Sequence, residues 1–181
     1  WSGLRIVGPD GTVLPPGEVG EIVGHGPLLT PGYYGRPDLT AQAIVDGWLH
    51  SGDLGYVDAH GYLHLVDRAK DLIISGGVNI YPQECENLLI THPKIADAAV
   101  FGVPNPDLGE EVKAVVQPMP GVSPDQDLAD ELIAFCSQSL SRQKVPRSID
   151  FEAELPRLPT GKLYKKALRE RYWAGRGSRI V

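Results

Sequence analysis

The 181-residue sequence has little sulfur and no long apolar segment. No apolar run approaches about 18 residues, which excludes a transmembrane helix of ordinary length. The two cysteines, Cys85 and Cys136, are too few for a disulfide framework, so we expect reduced, buried thiols in a cytoplasmic protein. These features exclude disulfide-stabilised secreted scaffolds and helical membrane proteins.

The chain also lacks the usual features of a protein start. Residue 1 is Trp1, and the single methionine is Met119. A signal peptide would show a basic segment followed by an apolar core of about 7 to 15 residues, and this pattern does not occur near the start. We therefore expect the sequence to be a piece of a longer polypeptide.

Glycine and proline are abundant, with 21 and 16 residues dispersed among apolar segments. This composition is typical of many turns between short elements. The net charge of −6 is unevenly distributed: residues 157–181 contain eight bases and one acid, whereas residues 1–156 carry a net charge of −13. A basic end on an acidic body indicates either internal docking or an anionic ligand near that end.

Strand and turn patterns dominate the first third of the chain, and helices enter after about residue 70. A hairpin is predicted around the turn at residues 59–61, and a short helix over 40–44 with Asp38 as its cap. A helix is predicted over 82–92, and Ser123 is predicted to cap another. The remaining predicted elements are strands at 4–7, 13–14, 19–23, 72–74, 96–103, 112–117 and 148–151, and a basic helix at 163–172. The pattern favours an α+β fold.

Three short segments carry residues suited to binding a nucleotide. The first is Ser51-Gly52-Asp53-Leu54-Gly55, in which the Asp53 carboxylate could accept two charge-assisted hydrogen bonds from a ribose diol. An aspartate beside a glycine is also a common turn residue, so this segment alone leaves both interpretations open.

The second segment runs from Asp67 to Pro82 and places four charges between two apolar strands. Its Gly76-Gly77 turn precedes a helix that begins with proline, and such a turn could line a narrow channel or hold a phosphate. For the four charges alone, a solvated connector is the favoured interpretation.

The third segment is Leu155 to Leu163, in which Lys162 follows a loop shaped by proline and glycine. A loop of this kind presents one ammonium group at its tip. The alternative is an ordinary exposed lysine, which describes most lysines in proteins.

Together, the order and spacing of these segments resemble the C-terminal part of the adenylate-forming superfamily. That superfamily includes acyl-CoA synthetases, adenylation domains of peptide synthetases and firefly luciferase. Five matched segments carry the resemblance through almost the whole chain: Gly32 to Asp53, Asp67 to Glu86, Phe101 to Glu110, Lys144 to Arg147, and Pro159 to Lys162.

The resemblance implies a division of the chain into parts of two domains. Residues 1–66 would be the β-rich, distorted-barrel end of a large ATP-binding domain, residues 67–71 a hinge, and residues 72–181 a mobile α+β domain. The implied reaction has two steps. A carboxylate attacks the α-phosphate of ATP to give an acyl-adenylate and pyrophosphate, and coenzyme A then displaces AMP.

The resemblance also implies a role for individual residues. Lys162 would be the catalytic residue, bridging the attacking carboxylate and the α-phosphate. Asp53 and Arg68 would bind the nucleotide, and Lys70 would be the hinge. The implied lining of the coenzyme A tunnel is Gly76, Gly77, Val78 and Asn79. No metal site is expected in this chain, because the Mg²⁺ that accompanies ATP would be bound mainly upstream.

The glycine-rich phosphate loop and the acyl pocket of this family are not in the sequence. We therefore expect the chain alone to be inactive, with the upstream large domain of the same polypeptide as its partner. The other expected partners are ATP, coenzyme A and a carboxylic acid of the fatty acid type, with no nucleic acid. The sequence predicts neither the acid's chain length nor the oligomeric state.

Three other interpretations are compatible with parts of the sequence. The chain could be the end of a peptide-synthetase adenylation domain, although the basic tail from Tyr172 to Arg176 favours a stand-alone ligase. A nucleic-acid-binding module could use the basic C-terminus and its aromatic residues. A non-catalytic scaffold is the third, but it would have no need to combine Asp53, Arg68 and Lys162.

Overall fold

The structure is a computed structural model that describes residues 3–174. These residues divide into two compact units, and the boundary lies between Lys70 and Asp71. A 3-10 turn, Ala69–Asp71, occupies the boundary. The α+β class predicted from the sequence is confirmed, with two five-stranded sheets and four α-helices in the described part of the chain.

The first unit is a curled antiparallel sheet with one short helix. Its longest strand, β4, pairs with three others, so it forms the centre of the unit. The hairpin predicted around residues 59–61 is confirmed and joins β4 to β5. The elements are β1 (Gly3–Val7), β2 (Gly20–His25), α1 (Pro37–Ala43), β3 (Ile44–Val45), β4 (Trp48–Val57) and β5 (Leu63–Arg68).

Several local features of the first unit differ from the prediction. Strand β3 was not predicted, and β4 begins at Trp48 rather than at residue 55. Helix α1 begins three residues earlier than predicted, with Pro37 at its start and Arg36 as N-cap. Asp38 is therefore not the cap. It lies in the first turn, where the Arg36 guanidinium donates two hydrogen bonds to its carboxylate at 2.6 and 2.9 Å. The predicted strand at residues 13–14 is reduced to a single bridge between Val13 and Val7.

The second unit is a mixed sheet covered by helices. Strands β8 and β9 form its centre in a long antiparallel pair, and β10 adds to β9 in parallel. The elements are β6 (Ile73–Ser75), β7 (Val78–Ile80), α2 (Pro82–Leu89), β8 (Ile95–Asn105), β9 (Gly109–Pro118), α3 (Gln126–Ser137), β10 (Ser148–Phe151) and α4 (Lys165–Trp173). Strand β7 was not predicted; the other elements were.

Both faces of the β8–β9 pair are buried, because side chains alternate along a strand. Ala98 and Val100 contribute to the cluster that packs with α2 and α3, whereas Ala99 and Phe101 contribute to the cluster that includes Leu168 of α4. The sheet therefore has two helices on one face and α4 on the other. This packing holds α4, and the loop before it, against β8.

Helix ends in the second unit also depart from the prediction. Helix α2 ends at Leu89 rather than at residue 92, and the chain continues in a tight turn closed by the His92 amide donating to the Leu89 carbonyl at 3.0 Å. The cap of α3 is Asp125, which accepts a hydrogen bond from the Leu128 amide at 2.9 Å. Ser123 is therefore not the cap.

Candidate functional site

Asp53 lies on a bulge of β4 rather than before the hairpin. Between two regularly paired positions, residues 51–53 of β4 oppose the single residue Ile22 of β2. Gly52 provides the left-handed backbone that this bulge requires, with φ of 72° and open space where a Cβ would lie. The bulge turns the Asp53 segment out of the regular ladder.

Side chains of β2 and β4 hold this bulge in place. The Ser51 hydroxyl donates to the Ile22 carbonyl at 2.7 Å and accepts from the Asp53 amide at 3.1 Å. The Glu21 carboxylate accepts from the Gly52 amide at 3.0 Å and lies 2.8 Å from Nδ1 of His50. Sequence reasoning missed Glu21, although an acid inside an apolar strand was a usable signal.

Arg68 is the cross-strand partner of Asp53. The two residues are paired in the β4–β5 register, and Nε of Arg68 lies 3.2 Å from Oδ1 of Asp53. The Arg68 side chain is 47% exposed and that of Asp53 is 35% exposed, so water and small ligands can reach both. A carboxylate has about four lone-pair positions, so Asp53 can accept further hydrogen bonds while it contacts Arg68.

The residue predicted as the hinge lies at the boundary between the two units. Lys70 is exposed and belongs to the 3-10 turn Ala69–Asp71. Just before it, the Asp67 carboxylate accepts a hydrogen bond from the Arg68 amide at 2.7 Å. The hinge role itself is not tested by this geometry and stays a prediction.

The four predicted tunnel residues form the tip of the β6–β7 hairpin. Gly76 and Gly77 both have left-handed backbones, with φ of 56° and 79°, and Val78 and Asn79 follow in β7 with exposed side chains. The Gly76 amide donates to the Leu108 carbonyl at 2.9 Å, which holds the tip against the turn before β9. A Cβ atom on Gly77 would meet no other atom within 4 Å, so this side of the tip is open.

Lys162 follows a tight turn before α4 and is exposed. The Leu158 amide donates to the Lys162 carbonyl, and the Gly161 amide donates to the Leu158 carbonyl, both at 2.8 Å. Gly161 has a left-handed backbone with φ of 82°. Within residues 3–174, no hydrogen bond or ion pair of the Lys162 ammonium is found. The turn therefore presents a cation with no partner among the described residues.

Ionic contacts on both sides of this turn attach it to β8 and α2 of the same unit. Before the turn, Arg157 pairs with Asp97 of β8 and donates to the Gly161 carbonyl at 2.6 Å. After it, Lys165 lies 2.7 Å from the carboxylate of Glu86 in α2, with side chains only 16% and 7% exposed. Sequence reasoning identified neither contact.

The basic segment predicted to dock internally or to bind an anion does dock in its described part. Three of its bases contact acids elsewhere in the second unit, and a fourth, Lys166, pairs with Glu170 inside the segment itself. The contacts are Arg157–Asp97, Lys165–Glu86, Lys166–Glu170 and Arg171–Glu152. Because these bases are paired with acids, fewer positive charges are available to a nucleic acid than the count of bases in the sequence suggests. Arg176 and Arg179 lie outside the described residues.

A polar cluster built around the buried Lys113 docks α4 on the sheet. The Tyr172 hydroxyl donates to Asp150 at 2.6 Å, and the buried Lys113 ammonium donates to the same carboxylate at 2.8 Å. Burial, reinforced by the Asp150 carboxylate, raises the pKa of Tyr172 above its ordinary value. Burial alone would raise the pKa of Asp150, but its hydrogen bonds with Lys113 and Tyr172 outweigh burial and lower it.

The described residues contain neither a membrane-spanning helix nor a cluster of metal ligands. Among residues 3–174, no helix combines the length and apolar character needed to cross a membrane. In the same part of the chain, no three side chains from His, Cys, Asp and Glu come together as metal ligands would. Cys85 and Cys136 are both buried and reduced.

Known proteins resemble both the sequence and the structure. Residues 84–162 match the family described as AMP-binding enzyme C-terminal domain. The chain is 49% identical over 172 residues to a feruloyl-CoA synthase from an Amycolatopsis species, and the alignment covers 95% of the chain and 34% of that protein.

Solved structures give the same result at the level of the fold. ATP-bound MatB from Rhodopseudomonas palustris matches with a TM-score of 0.87 and 36% identity, covering 96% of the chain and 34% of MatB. The o-succinylbenzoate CoA synthetase of Bacillus subtilis, in complex with its acyl-adenylate intermediate, has a TM-score of 0.83 and 37% identity, covering 93% of the chain and 34% of that enzyme. The chain thus spans about a third of the length of these relatives.

Proposed function

We propose that the chain is the C-terminal part of an AMP-forming acid–CoA ligase, because residues 84–162 match the family described as AMP-binding enzyme C-terminal domain. In this proposal, residues 1–66 complete a large ATP-binding domain, residues 67–71 form a hinge, and residues 72–181 form a mobile domain. The boundary between the two compact units, at Lys70 and Asp71, supports this division.

The first step joins the acid to AMP. An oxygen of the carboxylate attacks the α-phosphorus of ATP, and the bond to the oxygen that bridges to the β-phosphate breaks, so pyrophosphate leaves. Negative charge accumulates where the two anions meet, and the Lys162 ammonium neutralises it. Fixed positive charge at that place is the main catalytic contribution that a protein makes to such a reaction.

The nucleotide is held through its ribose. Asp53 accepts hydrogen bonds from the two ribose hydroxyls, and Arg68 orients the carboxylate while its other donors reach the ribose or phosphate. The 3.2 Å contact between these two exposed side chains supports this assignment, because the pair is already assembled on adjacent strands.

The second step transfers the acyl group to coenzyme A. The thiolate attacks the acyl carbon, and the bond from that carbon to the AMP oxygen breaks. Gly76, Gly77, Val78 and Asn79 line the path of the pantetheine arm, and the open side of Gly77 fits this role. Rotation about Lys70 exchanges the Lys162 turn for the Gly77 tip at the same site.

A single observation carries the proposal: the exposed Lys162 ammonium lies on a turn that is anchored on both sides by ionic contacts. An ordinary surface lysine needs no such support, because its position has no consequence. A lysine that must meet a developing charge does need it.

The acid itself is proposed from the relatives. The sequence predicted a fatty acid, whereas the names of the feruloyl-CoA synthase and the o-succinylbenzoate CoA synthetase point to acids that contain an aromatic ring. We therefore place aryl-carboxylic acids ahead of fatty acids.

The remaining parts of the proposal concern what lies outside the chain. The upstream part of the polypeptide supplies the phosphate-binding loop, the acyl pocket and the Mg²⁺ that accompanies ATP, so the chain alone is inactive. No step assigned to the described residues uses a metal. A cytoplasmic location completes the proposal, because ATP and coenzyme A are cytoplasmic substrates.

The proposal is tested on the complete polypeptide with ATP and a panel of aryl, medium-chain and long-chain acids. We expect acid-dependent release of pyrophosphate, followed by AMP and a thioester once coenzyme A is added. The 181-residue chain alone, as control, should release none. Pyrophosphate release that does not depend on any acid, or turnover by the chain alone, would contradict the proposal.

A further inference from the structure

We propose that Arg157 is a positioning residue for Lys162, fixing the turn that carries the catalytic ammonium to strand β8. The proposal rests on the function assigned to Lys162 above and goes beyond it, because neither the resemblance nor the known relatives assigned Arg157 a role.

The Arg157 guanidinium connects two acceptors that belong to different elements. Nη1 donates to the carbonyl of Gly161, the residue directly before Lys162, at 2.6 Å. Nη2 donates to Oδ2 of Asp97 in β8. The Asp97 side chain is only 21% exposed, and its Oδ1 accepts from the Ala98 amide at 2.9 Å, so the anchor is itself fixed.

Backbone hydrogen bonds close the turn but do not attach its tip to the sheet. The contacts between Leu158 and Lys162, and between Gly161 and Leu158, lie within the turn. The bridge between Arg157 and Leu163 joins its two sides. The Arg157 side chain is the contact that runs from the peptide next to Lys162 to a central strand, and it therefore sets the direction in which the turn points.

The consequence for catalysis follows from the sensitivity of reaction rate to geometry. A displacement of a catalytic group by about 1 Å lowers the rate by on the order of 100-fold. Without Arg157, the turn keeps its internal hydrogen bonds and the Lys165–Glu86 pair that follows it, but the peptide next to Lys162 loses its link to β8, so the ammonium spends less time at the α-phosphate. Thioester formation uses the other domain orientation and does not need Lys162 at that place.

The side chain at this position must be arginine for both contacts to form at once. A guanidinium presents several donors in a fixed plane and can join a carbonyl and a carboxylate, whereas an ammonium is a point donor. Arg157→Lys should therefore keep the pairing with Asp97 and lose the contact with Gly161. Comparison of Arg157→Lys with the wild type therefore distinguishes the effect of the positive charge from the effect of the contact with Gly161.

The test measures the two half-reactions of the complete protein in single-turnover experiments. For Arg157→Gln, we expect adenylation to slow by about 10- to 100-fold, while KM for ATP and the rate of thioester formation from supplied acyl-adenylate change by less than about threefold. Arg157→Lys should fall between the wild type and Arg157→Gln. Arg171→Gln, which breaks the comparably exposed 2.6 Å pair with Glu152, is the control and should alter neither half-reaction by more than about twofold.

The outcomes separate this inference from the proposed function. If Lys162→Ala leaves adenylation intact, the proposed function fails. If Lys162→Ala abolishes adenylation but Arg157→Gln adenylates like the wild type, or slows both half-reactions equally, the positioning role fails alone. Should Arg157→Gln not fold, Asp97→Asn decides: it keeps an acceptor but removes the charge, and it should slow adenylation selectively by a smaller factor.

Discussion

Replacing Glu86 with alanine should destabilise the second unit severely, because this buried carboxylate supports two partners. Glu86 is 5% exposed and accepts a hydrogen bond from the Val100 amide at 2.7 Å. Its carboxylate also lies 2.7 Å from the ammonium of Lys165, at the start of α4. The change leaves an unpaired amide in the centre of β8 and a cation with little access to water.

The size of the effect follows from these two contacts. An unsatisfied buried amide costs about 1–3 kcal/mol. Breaking a buried ion pair by removing one partner costs about 3–5 kcal/mol. The two costs overlap, since both arise from the same carboxylate, so we expect about 3–5 kcal/mol in total for Glu86→Ala. Glu86→Gln keeps an acceptor for Val100 and should cost about 1–3 kcal/mol.

Amide hydrogen exchange is the suitable assay, because it reports the opening free energy of the second unit without assuming that both units unfold together. The protection of the slowest β8 and β9 amides should fall by the amounts given above. Glu170→Ala is the control, since Glu170 pairs with Lys166 at 3.6 Å with both side chains more than 60% exposed. Its effect should stay within about 0.5 kcal/mol. If Glu86→Ala is as mild as this control, the reasoning is wrong.

Three further predictions concern the coenzyme A path, alkaline pH and the nucleotide site. Gly77→Leu in the complete protein should slow thioester formation more than adenylation. Gly121→Leu is the control, because it introduces a similar left-handed strain in equally open surroundings, and it should spare both half-reactions. If Gly77→Leu slows both half-reactions equally, the tunnel assignment is wrong. Burial raises the pKa of Tyr172, so the tyrosine ionises at lower pH in the unfolded chain than in the folded one. The contribution of neutral Tyr172 to the free energy of unfolding is therefore complete below about pH 10 and is lost as the pH rises further. The midpoint temperature of thermal unfolding should therefore fall less steeply between about pH 8 and 11 for Tyr172→Phe than for the wild type. The same slope in both proteins would count against this linkage. Glu21→Ala removes the carboxylate that holds the bulge carrying Asp53, and it should raise KM for ATP by about tenfold. The control Glu18→Ala, at an exposed position, should leave KM for ATP unchanged. The same KM for ATP in both variants would show that Glu21 does not support the site.

Most of the fold could be predicted because strand periodicity is strong in the second unit. The apolar runs of β8 and β9 are long enough to be distinguished from loops, and they were predicted within a few residues. Strand β7 was missed because three residues between a glycine turn and Pro82 show no period. The caps were wrong at Asp38 and Ser123 because several polar residues near a helix start can fill the position, and only backbone geometry selects one.

The candidate site could be predicted in part, through the resemblance. Asp53, Arg68 and Lys162 were identified as residues, but their surroundings depend on contacts between distant parts of the chain. The pairing of Asp53 with Arg68 needs the β4–β5 register, which a bulge shifts. Arg157 and Asp97 are 60 positions apart in sequence. No local pattern encodes such pairs, so the positioning contacts became visible only in the structure.

The central claim is that Lys162 serves adenylation and not thioester formation. The most direct test is a comparison of the two half-reactions in the complete protein, with the wild type and Lys162→Ala, starting either from ATP and acid or from preformed acyl-adenylate and coenzyme A. The account predicts that adenylation falls by about 100- to 1000-fold, while thioester formation stays within about tenfold of the wild type. An equal loss in both half-reactions, or no loss in adenylation, would contradict it.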